Sequence, residues 1–321
     1  MIRVLAHPNI ALAKYWGKLA GPGNRPAMPS LSVTLAGMTT ETRVSTIDAE
    51  DDRVIVNGRL VPAGGAAKAR ALLDRVRAEA RLEARFSVES KNDFPTASGL
   101  ASSASGFAAL AVGARAAVGL PRDPTIESDL GRRASASAAR SLFSGFVALP
   151  AGRADDGLLS AYPVAPATAL PLVVLVAVTT EAEKEVSSSE GMRRTAEVGP
   201  YHAAWVAEST RLFGEIERAI LTQDLSKVGE LTERSALAMH ASALAAGVLY
   251  FREATLSALR TVHALRAHGT GAWATMDAGP HVKVLAHAND ADPVERALTG
   301  TPGVLRVLRA TPGDGARIVS D

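Results

Sequence analysis

The sequence predicts an α+β protein built as two lobes. Three observations carry that prediction. Strand and helix signals alternate irregularly up to about residue 180, helix signals dominate from about 200 to 268, and short strands with one short helix close the chain. With 321 residues, 47% of them hydrophobic, the chain can bury a large core and fill two lobes. The expected division gives residues 1–180 and 181–321.

Taken in order, 40–47 and 53–61 read as β-rich segments separated by the acidic turn Asp48-Ala-Glu-Asp-Asp52, with a second tight turn at Asn57-Gly58. Residues 66–84 read as a charged amphipathic helix and 86–90 as an alternating strand. A small-residue loop then leads into an alanine-rich helix over 102–119. A further helix starts at Pro124, with Asp123 as N-cap and proline in the first helical position. The uniformly apolar run 172–178 reads as a buried strand and is far too short to span a membrane. Helices follow near 200–222, 226–244 and 252–268, then strands at 271–276 and 282–286, a helix at 292–299, and strands near 303–309 and 316–319.

Composition excludes several classes of function. The formal charge is only +2 and no basic tract is present, so a nucleic-acid partner is not expected. Aromatic residues, at 4%, are too sparse for base-stacking platforms. The absence of cysteine excludes disulfides, cysteine-zinc sites, iron–sulfur clusters and thiol catalysis. It fits a reducing cytosol, and with no targeting signal visible a cytoplasmic location without a membrane partner is expected.

Four segments could carry chemistry. The first, residues 94–107, packs Gly99, Gly106, Thr96, Ser98, Ser102, Ser103 and Ser105 into a loop that enters a helix. Free N–H groups, the positive end of the helix dipole and several hydroxyls there suit a phosphate. The alternative is a small-residue turn capping a tightly packed helix. The second is Asn9-Ile-Ala-Leu-Ala-Lys-Tyr-Trp-Gly-Lys18, where two lysines four apart flank Tyr15, Trp16 and Gly17. It reads as a cationic corner for phosphate or carboxylate, or as an amphipathic turn with solvated lysines.

The third segment is Ser135-Ala-Ser-Ala-Ala-Arg-Ser-Leu-Phe143. Its small residues admit a ligand, and Arg140 offers a fork for an anion; otherwise it is a packed helix with Arg140 in a surface ion pair. The fourth is Thr275-Met-Asp-Ala-Gly-Pro-His281. A carboxylate at the end of an apolar strand suits a base facing a cleft, although Asp before Ala-Gly-Pro is more commonly a turn former.

Together and in this order the segments resemble the mevalonate diphosphate decarboxylases of the GHMP kinase superfamily. The resemblance rests on Asn9-Ile-Ala with Lys14-Tyr-Trp-Gly-Lys18, Ser30-Leu-Ser-Val-Thr-Leu35, the stretch 92–107, Ser135-Ala-Ser-Ala-Ala-Arg-Ser141, Val186-Ser-Ser-Ser-Glu-Gly-Met192, Met239-His-Ala241 and Asp277-Ala-Gly-Pro280. It spans nearly the whole chain. It implies a ribosomal-protein-S5-like N-terminal lobe, a helical, ferredoxin-like C-terminal lobe, and an active site in the cleft between them. The implied activity is ATP-dependent decarboxylation of mevalonate 5-diphosphate to isopentenyl diphosphate, with Mg2+ arriving on the nucleotide and a homodimer as the assembly. Two neighbouring activities are implied as alternatives: decarboxylation of the 5-monophosphate, and a kinase that stops at phosphorylation. A nucleotide-binding regulatory protein with a dead site is the alternative from another class.

The resemblance also assigns roles. Asp277 would be base or orienter of the 3-hydroxyl, Arg140 would hold the substrate carboxylate with help from Asn9, and Lys14 would stabilise the transferred phosphoryl group. Tyr15, Trp16, Gly17, Lys18, Ser135, Ala136, Ser137, Ala138, Ala139 and Ser189 would line the substrate. Ser98, Gly99, Leu100, Ala101, Ser102 and Ser103 would cradle the ATP phosphates, with Ser103 near the metal and no dedicated metal cage. Lys68 and Lys184 are further phosphate candidates. The sequence departs from the family pattern at Leu19-Ala20 where a basic-acidic pair is frequent, at Met28 for Asn, at Ala134 and Ala136 for Gly, at Ser189 for Arg or Thr, and at His281 for Asn.

Overall fold

A computed structural model describes every residue except 95–101, 154, 156, 183–184 and 321. In chain order its elements are β1 (Ile2–Ala6), β2 (Asn9–Ala13), β3 (Ser30–Ala36), β4 (Thr40–Ile47), β5 (Arg53–Val56), β6 (Arg59–Leu60), α1 (Ala67–Ala80), β7 (Arg85–Asn92), α2 (Ser102–Ala117) and α3 (Pro124–Ala134). A 3-10 helix (Ala136–Leu142) precedes β8 (Phe146–Leu149), β9 (Tyr162–Ala165) and β10 (Leu172–Val178). There follow α4 (Ser188–Val198), α5 (His202–Leu221), α6 (Leu225–Ala245), α7 (Glu253–Ala267), β11 (Ala272–Thr275), β12 (Val282–His287), α8 (Ala291–Thr299), β13 (Arg306–Pro312) and β14 (Arg317–Val319).

Two sheets organise these elements. The first runs β14-β1-β4-β7-β5-β6 and packs against α1, α2 and α3 through Val44, Val54, Phe86, Val88, Leu72, Leu73 and Leu110. Small residues let α2 approach closely. A Cβ added to Gly113 would lie 2.7 Å from a Val44 methyl, so glycine is needed there for space. The second sheet runs β11-β12-β10-β13-β3-β8-β9, with β2 paired to β3.

Strand β10 explains its own uniform hydrophobicity. Leu172, Val174, Val176 and Val178 face Leu212, Ile216, Ile220, Val228 and Leu231 of α5 and α6. The alternate residues Val173, Leu175 and Ala177 face Leu259 and Val262 of α7 and Val294 and Leu298 of α8. Helices cover both faces, so neither register of the strand tolerates polar side chains. Strand β10 precedes residue 180 yet is hydrogen-bonded to β12 and β13 from the last quarter of the chain, and β13 in turn joins β3.

Most expected elements form where the pattern puts them. Asp123 caps α3 by accepting from the Thr125 and Ile126 amides at 3.0 and 3.2 Å. Helix α1 stops at Ala80, short of the expected 84, because Arg81 takes a left-handed conformation (φ 55) and its amide bonds back to the Arg77 carbonyl. The strand expected at 303–309 lies at Arg306–Pro312. Strand β2 opens the segment that reads as a cationic corner or an amphipathic turn. All five of its residues are buried, so it lacks the alternation that marks a one-sided strand.

Candidate active site

A cavity of about 640 Å3 opens between the sheets and helices. Its walls bring together Asn9, Lys14, Tyr15, Trp16 and Lys18 from the N-terminal segment, Ser102 and Ser103 from the start of α2, Ser135, Ala136, Ser137 and Arg140 from the 3-10 helix, Ser189 from α4, and Asp277 from the β11–β12 connection. Lys68 of α1 also lines it. Of the expected nucleotide contacts, Ser98, Gly99, Leu100 and Ala101 lie outside the described residues, as does Lys184.

Asp277 lies just beyond the end of β11. Its Oδ1 accepts from Lys14 Nζ at 2.7 Å, and its Oδ2 pairs with Lys283 Nζ at 3.1 Å. Burial pushes this carboxyl up, but the two ammonium groups outweigh it and hold the group well below the usual carboxylate range. The solvated-lysine alternative fails for Lys14, whose side chain is 1% exposed. A shift in the β2–β3 register between Ala11 and Ala13 falls just before Lys14. The Lys14 backbone is then fixed by Ser235 Oγ at 3.0 Å and Ser209 Oγ at 3.2 Å, from α6 and α5. Burial lowers the Lys14 ammonium to about 8, against the pull of Asp277 and with the help of Lys283 and Arg140.

Arg140 is buried and, among the described residues, makes no surface ion pair. Its Nε donates to Ser32 Oγ at 2.9 Å and its Nη1 to Ser30 Oγ at 2.7 Å, both hydroxyls from β3. Asn9 Oδ1 stands 3.5 Å from Nη2, while Asn9 Nδ2 donates to the Ser137 carbonyl and Ser141 Oγ at 2.9 and 2.8 Å. Burial lowers Arg140 to about 10, which leaves it a cation at neutral pH. Beside it the Tyr15 hydroxyl is buried and has no hydrogen-bond partner among the described residues. Burial raises the Tyr15 pKa against the nearby Arg140 and Arg132, so the phenol stays protonated.

At the other end of the cavity, Lys18 Nζ reaches Ser189 Oγ at 3.1 Å and Asn24 Oδ1 at 2.7 Å. Ser187 caps α4, which turns Ser188 and Ser189 of its first turn into the cavity wall. Ser135 and Ser137 Oγ are 3.1 Å apart, and Ala136 presents a methyl where the family pattern has glycine.

Three expected substrate contacts do not line the cavity. Ala138 and Ala139 are fully buried: Ala138 packs on Gly131 of α3 and the Ala139 carbonyl accepts from Ser128 Oγ at 3.1 Å. Gly17 is a backbone element; at φ 155 it occupies a region disfavoured for L side chains, and a Cβ there would lie 2.9 Å from Met28 Cε. Trp16 is mainly wall, 1% exposed, with its Nε1 donating to Thr195 Oγ1 at 3.1 Å. His281 lies outside the cavity, its ring accepting from the Thr179 amide at 3.2 Å, and burial keeps it neutral by lowering its pKa to about 3.

Lys283 and Asn24 were not marked in the sequence. Lys283 sits in an alternating strand and reads as an outward lysine. Asn24 carries a left-handed φ of 50, a conformation for which asparagine in a Gly-Pro-Gly-Asn turn is a recognisable signal.

Comparison with known proteins accords with this geometry. Residues 6–160 match the diphosphomevalonate decarboxylase-like N-terminal domain and residues 174–302 the mevalonate 5-diphosphate decarboxylase C-terminal domain. The chain is 31% identical to a diphosphomevalonate decarboxylase of Candida albicans, covering 99% of this chain and 98% of that one. It superposes on mevalonate diphosphate decarboxylase from Staphylococcus aureus with a TM-score of 0.93 and 31% identity, over 100% of this chain and 99% of that one. It superposes on a structure of MDDEF in complex with MVAPP, AMPPCP and magnesium with a TM-score of 0.92 and 36% identity, over the same shares of the two chains. Fold and cleft together are those of the GHMP kinase superfamily. Within it, the chain belongs to the diphosphomevalonate decarboxylase family.

Proposed function

We propose that the protein catalyses ATP-dependent decarboxylation of mevalonate 5-diphosphate to isopentenyl diphosphate, CO2, ADP and phosphate. The observation that carries the reading is the meeting of Lys14, Asp277 and Arg140 in one cavity with serines from the starts of α2 and α4. Named relatives and the complex with MVAPP, AMPPCP and magnesium support it.

The chemistry explains the residue types. A tertiary hydroxide leaves poorly, so the 3-hydroxyl is first phosphorylated. Its oxygen attacks the terminal phosphorus of ATP, the bond to ADP breaks, and the hydroxyl proton passes to an oxygen of the transferred phosphoryl group and from there to solvent. Phosphate then departs with its bonding pair. The substrate's C–C bond to the carboxylate breaks, and its electrons form the alkene as CO2 leaves. Asp277 accepts the hydrogen bond of the 3-hydroxyl and aligns its oxygen; so acidic a carboxylate orients better than it deprotonates. Lys14 neutralises the phosphoryl group in transit. Arg140 holds the carboxylate at its edge, strongly enough to orient it and short of trapping it. Tyr15, Lys18, Ser135, Ser137 and Ser189 take the diphosphate, all five lining the same cavity. Ser102 and Ser103, with Lys68, take the ATP phosphates.

Magnesium bound with ATP would neutralise phosphate charge. Among the described residues no group of three His, Asp or Glu side chains could hold a metal ion, so the ion's ligands would be phosphate oxygens and the Ser103 hydroxyl. The family resemblance supports a homodimer in the cytoplasm, and no helix among the described residues is long and apolar enough to cross a membrane. The experiment is to measure CO2 and ADP from mono- and diphosphorylated mevalonate in parallel. The diphosphate should give both products in equal amounts. A preference for the monophosphate, or ADP without CO2, would overturn the assignment.

A further inference from the structure

We propose that Lys283 is a positioning residue for this reaction: from outside the cavity its ammonium clamps one oxygen of Asp277, so that the carboxylate stands ionised and fixed with its other oxygen on Lys14. The inference deepens the functional reading above and rests on it.

Strand β12 pairs with β11 and β10, with Lys283 opposite both Thr275 and Val176. The strand is therefore central, and the Lys283 side chain is 1% exposed and absent from the cavity wall. An ammonium so deeply buried is costly unless a carboxylate compensates it. Asp277 serves that purpose from two residues beyond β11, with Oδ2 at 3.1 Å. The same carboxylate holds Lys14 through Oδ1 at 2.7 Å. The carboxylate is thus held by a hydrogen bond from Lys14 at one oxygen and by an ion pair with Lys283 at the other, from segments at opposite ends of the chain. Two ammonium groups against one carboxylate also leave this cluster with a net +1 (two minus one), which favours an arriving phosphoryl group.

The groups facing Asp277 come from four elements: Lys14 after β2, Arg140 of the 3-10 helix, His240 of α6 and Lys283 of β12. His240 is kept neutral by burial, at about 3, with Lys14 adding to the effect. Lys283 also helps lower His281, two residues before it, although burial is the larger cause. Lys283 pushes the Asp277 and Lys14 titrations in one direction, downward in both cases. Removing its charge should therefore move the alkaline limb, where Lys14 titrates, to higher pH, a signature that loss of packing does not produce.

The experiment compares Lys283→Met, Lys283→Arg and the parent enzyme. CO2 release is followed from pH 5 to 10 with the same substrates, so that titration of the substrate cancels. Lys283→Met should lose about tenfold in kcat at the parent optimum and shift the alkaline limb, set by Lys14, upward by about one pH unit, with KM for ATP held within about twofold. Lys283→Arg should restore the position of the profile. A Lys283→Met profile that does not move, or equal losses in both variants at unchanged limbs, would overturn the proposal.

Thermal melts of Asp277→Asn, Lys283→Met and the double variant give an answer independent of turnover. Asp277→Asn leaves two buried ammonium groups uncompensated, so adding Lys283→Met should raise its melting temperature; strictly additive losses would contradict the clamp. If Lys283→Met alone does not fold, the double variant should still fold, and its failure would count against the proposal. If the parent enzyme releases no CO2, the functional reading falls while the melts still judge the clamp.

Discussion

Asp277 divides its two oxygens between two buried lysines, and most of the site's electrostatics follows from that division. Burial lowers the Lys14 ammonium to about 8 while Asp277 partly offsets that burial, so Lys14 is the group expected to set the alkaline limit of the site. The sign is direct: the charged form acts, so the rate should fall as pH rises through about 8. A parent kcat still rising at pH 9 would show that the Lys14 charge is not needed. Arg140 is held by two β3 hydroxyls that fix the plane of its guanidinium. Arg140→Lys keeps the charge and loses the fork, so kcat/KM should fall by about a hundredfold or more, a loss of about 3 kcal/mol. Near-normal turnover would reduce Arg140 to a packing residue. At this scale the residue types were legible and the partners were not. Lys14, Arg140 and Asp277 stand out by neighbourhood, but only folding reveals that Lys283, separated from Lys14 by most of the chain, shares the same carboxylate.

Strand β10 and helix α2 show how far local pattern reaches. A seven-residue apolar run flanked by turns could only be a strand or a short buried helix, and its β-branched content and length settle the matter. Strand β2, equally buried but rich in alanine, gives no such signal; its pairing with β3 is what makes it a strand. The 3-10 helix over Ala136–Leu142 was readable as a tightly packed small-residue segment, but not which alanines face the cavity. The tighter three-residue turn leaves Ala138 and Ala139 off the cavity wall, and the sequence carries no mark of that. Helix α2 brings Ser102 and Ser103 to the cavity because Gly113 lets it settle onto β4. Gly113→Val should therefore cost about 1–3 kcal/mol in denaturant unfolding, since both partners are rigid and β-branched. An unchanged midpoint would mean that the helix has room to shift.

At the scale of the molecule, the cavity depends on strands that are distant in sequence. Strand β10 lies between β12 and β13, and β13 hands the sheet on to β3, so the segments bearing Asp277, Lys14 and Arg140 are tied into one sheet and its adjoining turns. That continuity was not legible from propensity, which places elements along the chain and says nothing of which edges join. The order and spacing of the motifs did carry it, through resemblance to a known family. The measurement that bears most directly on the convergence is turnover by Asp277→Ala with binding followed separately. The variant should keep nucleotide and diphosphate binding within about tenfold while its yields of ADP and CO2 fall together by a factor of about a thousand or more. A variant that still releases CO2 at the parent rate would contradict the account.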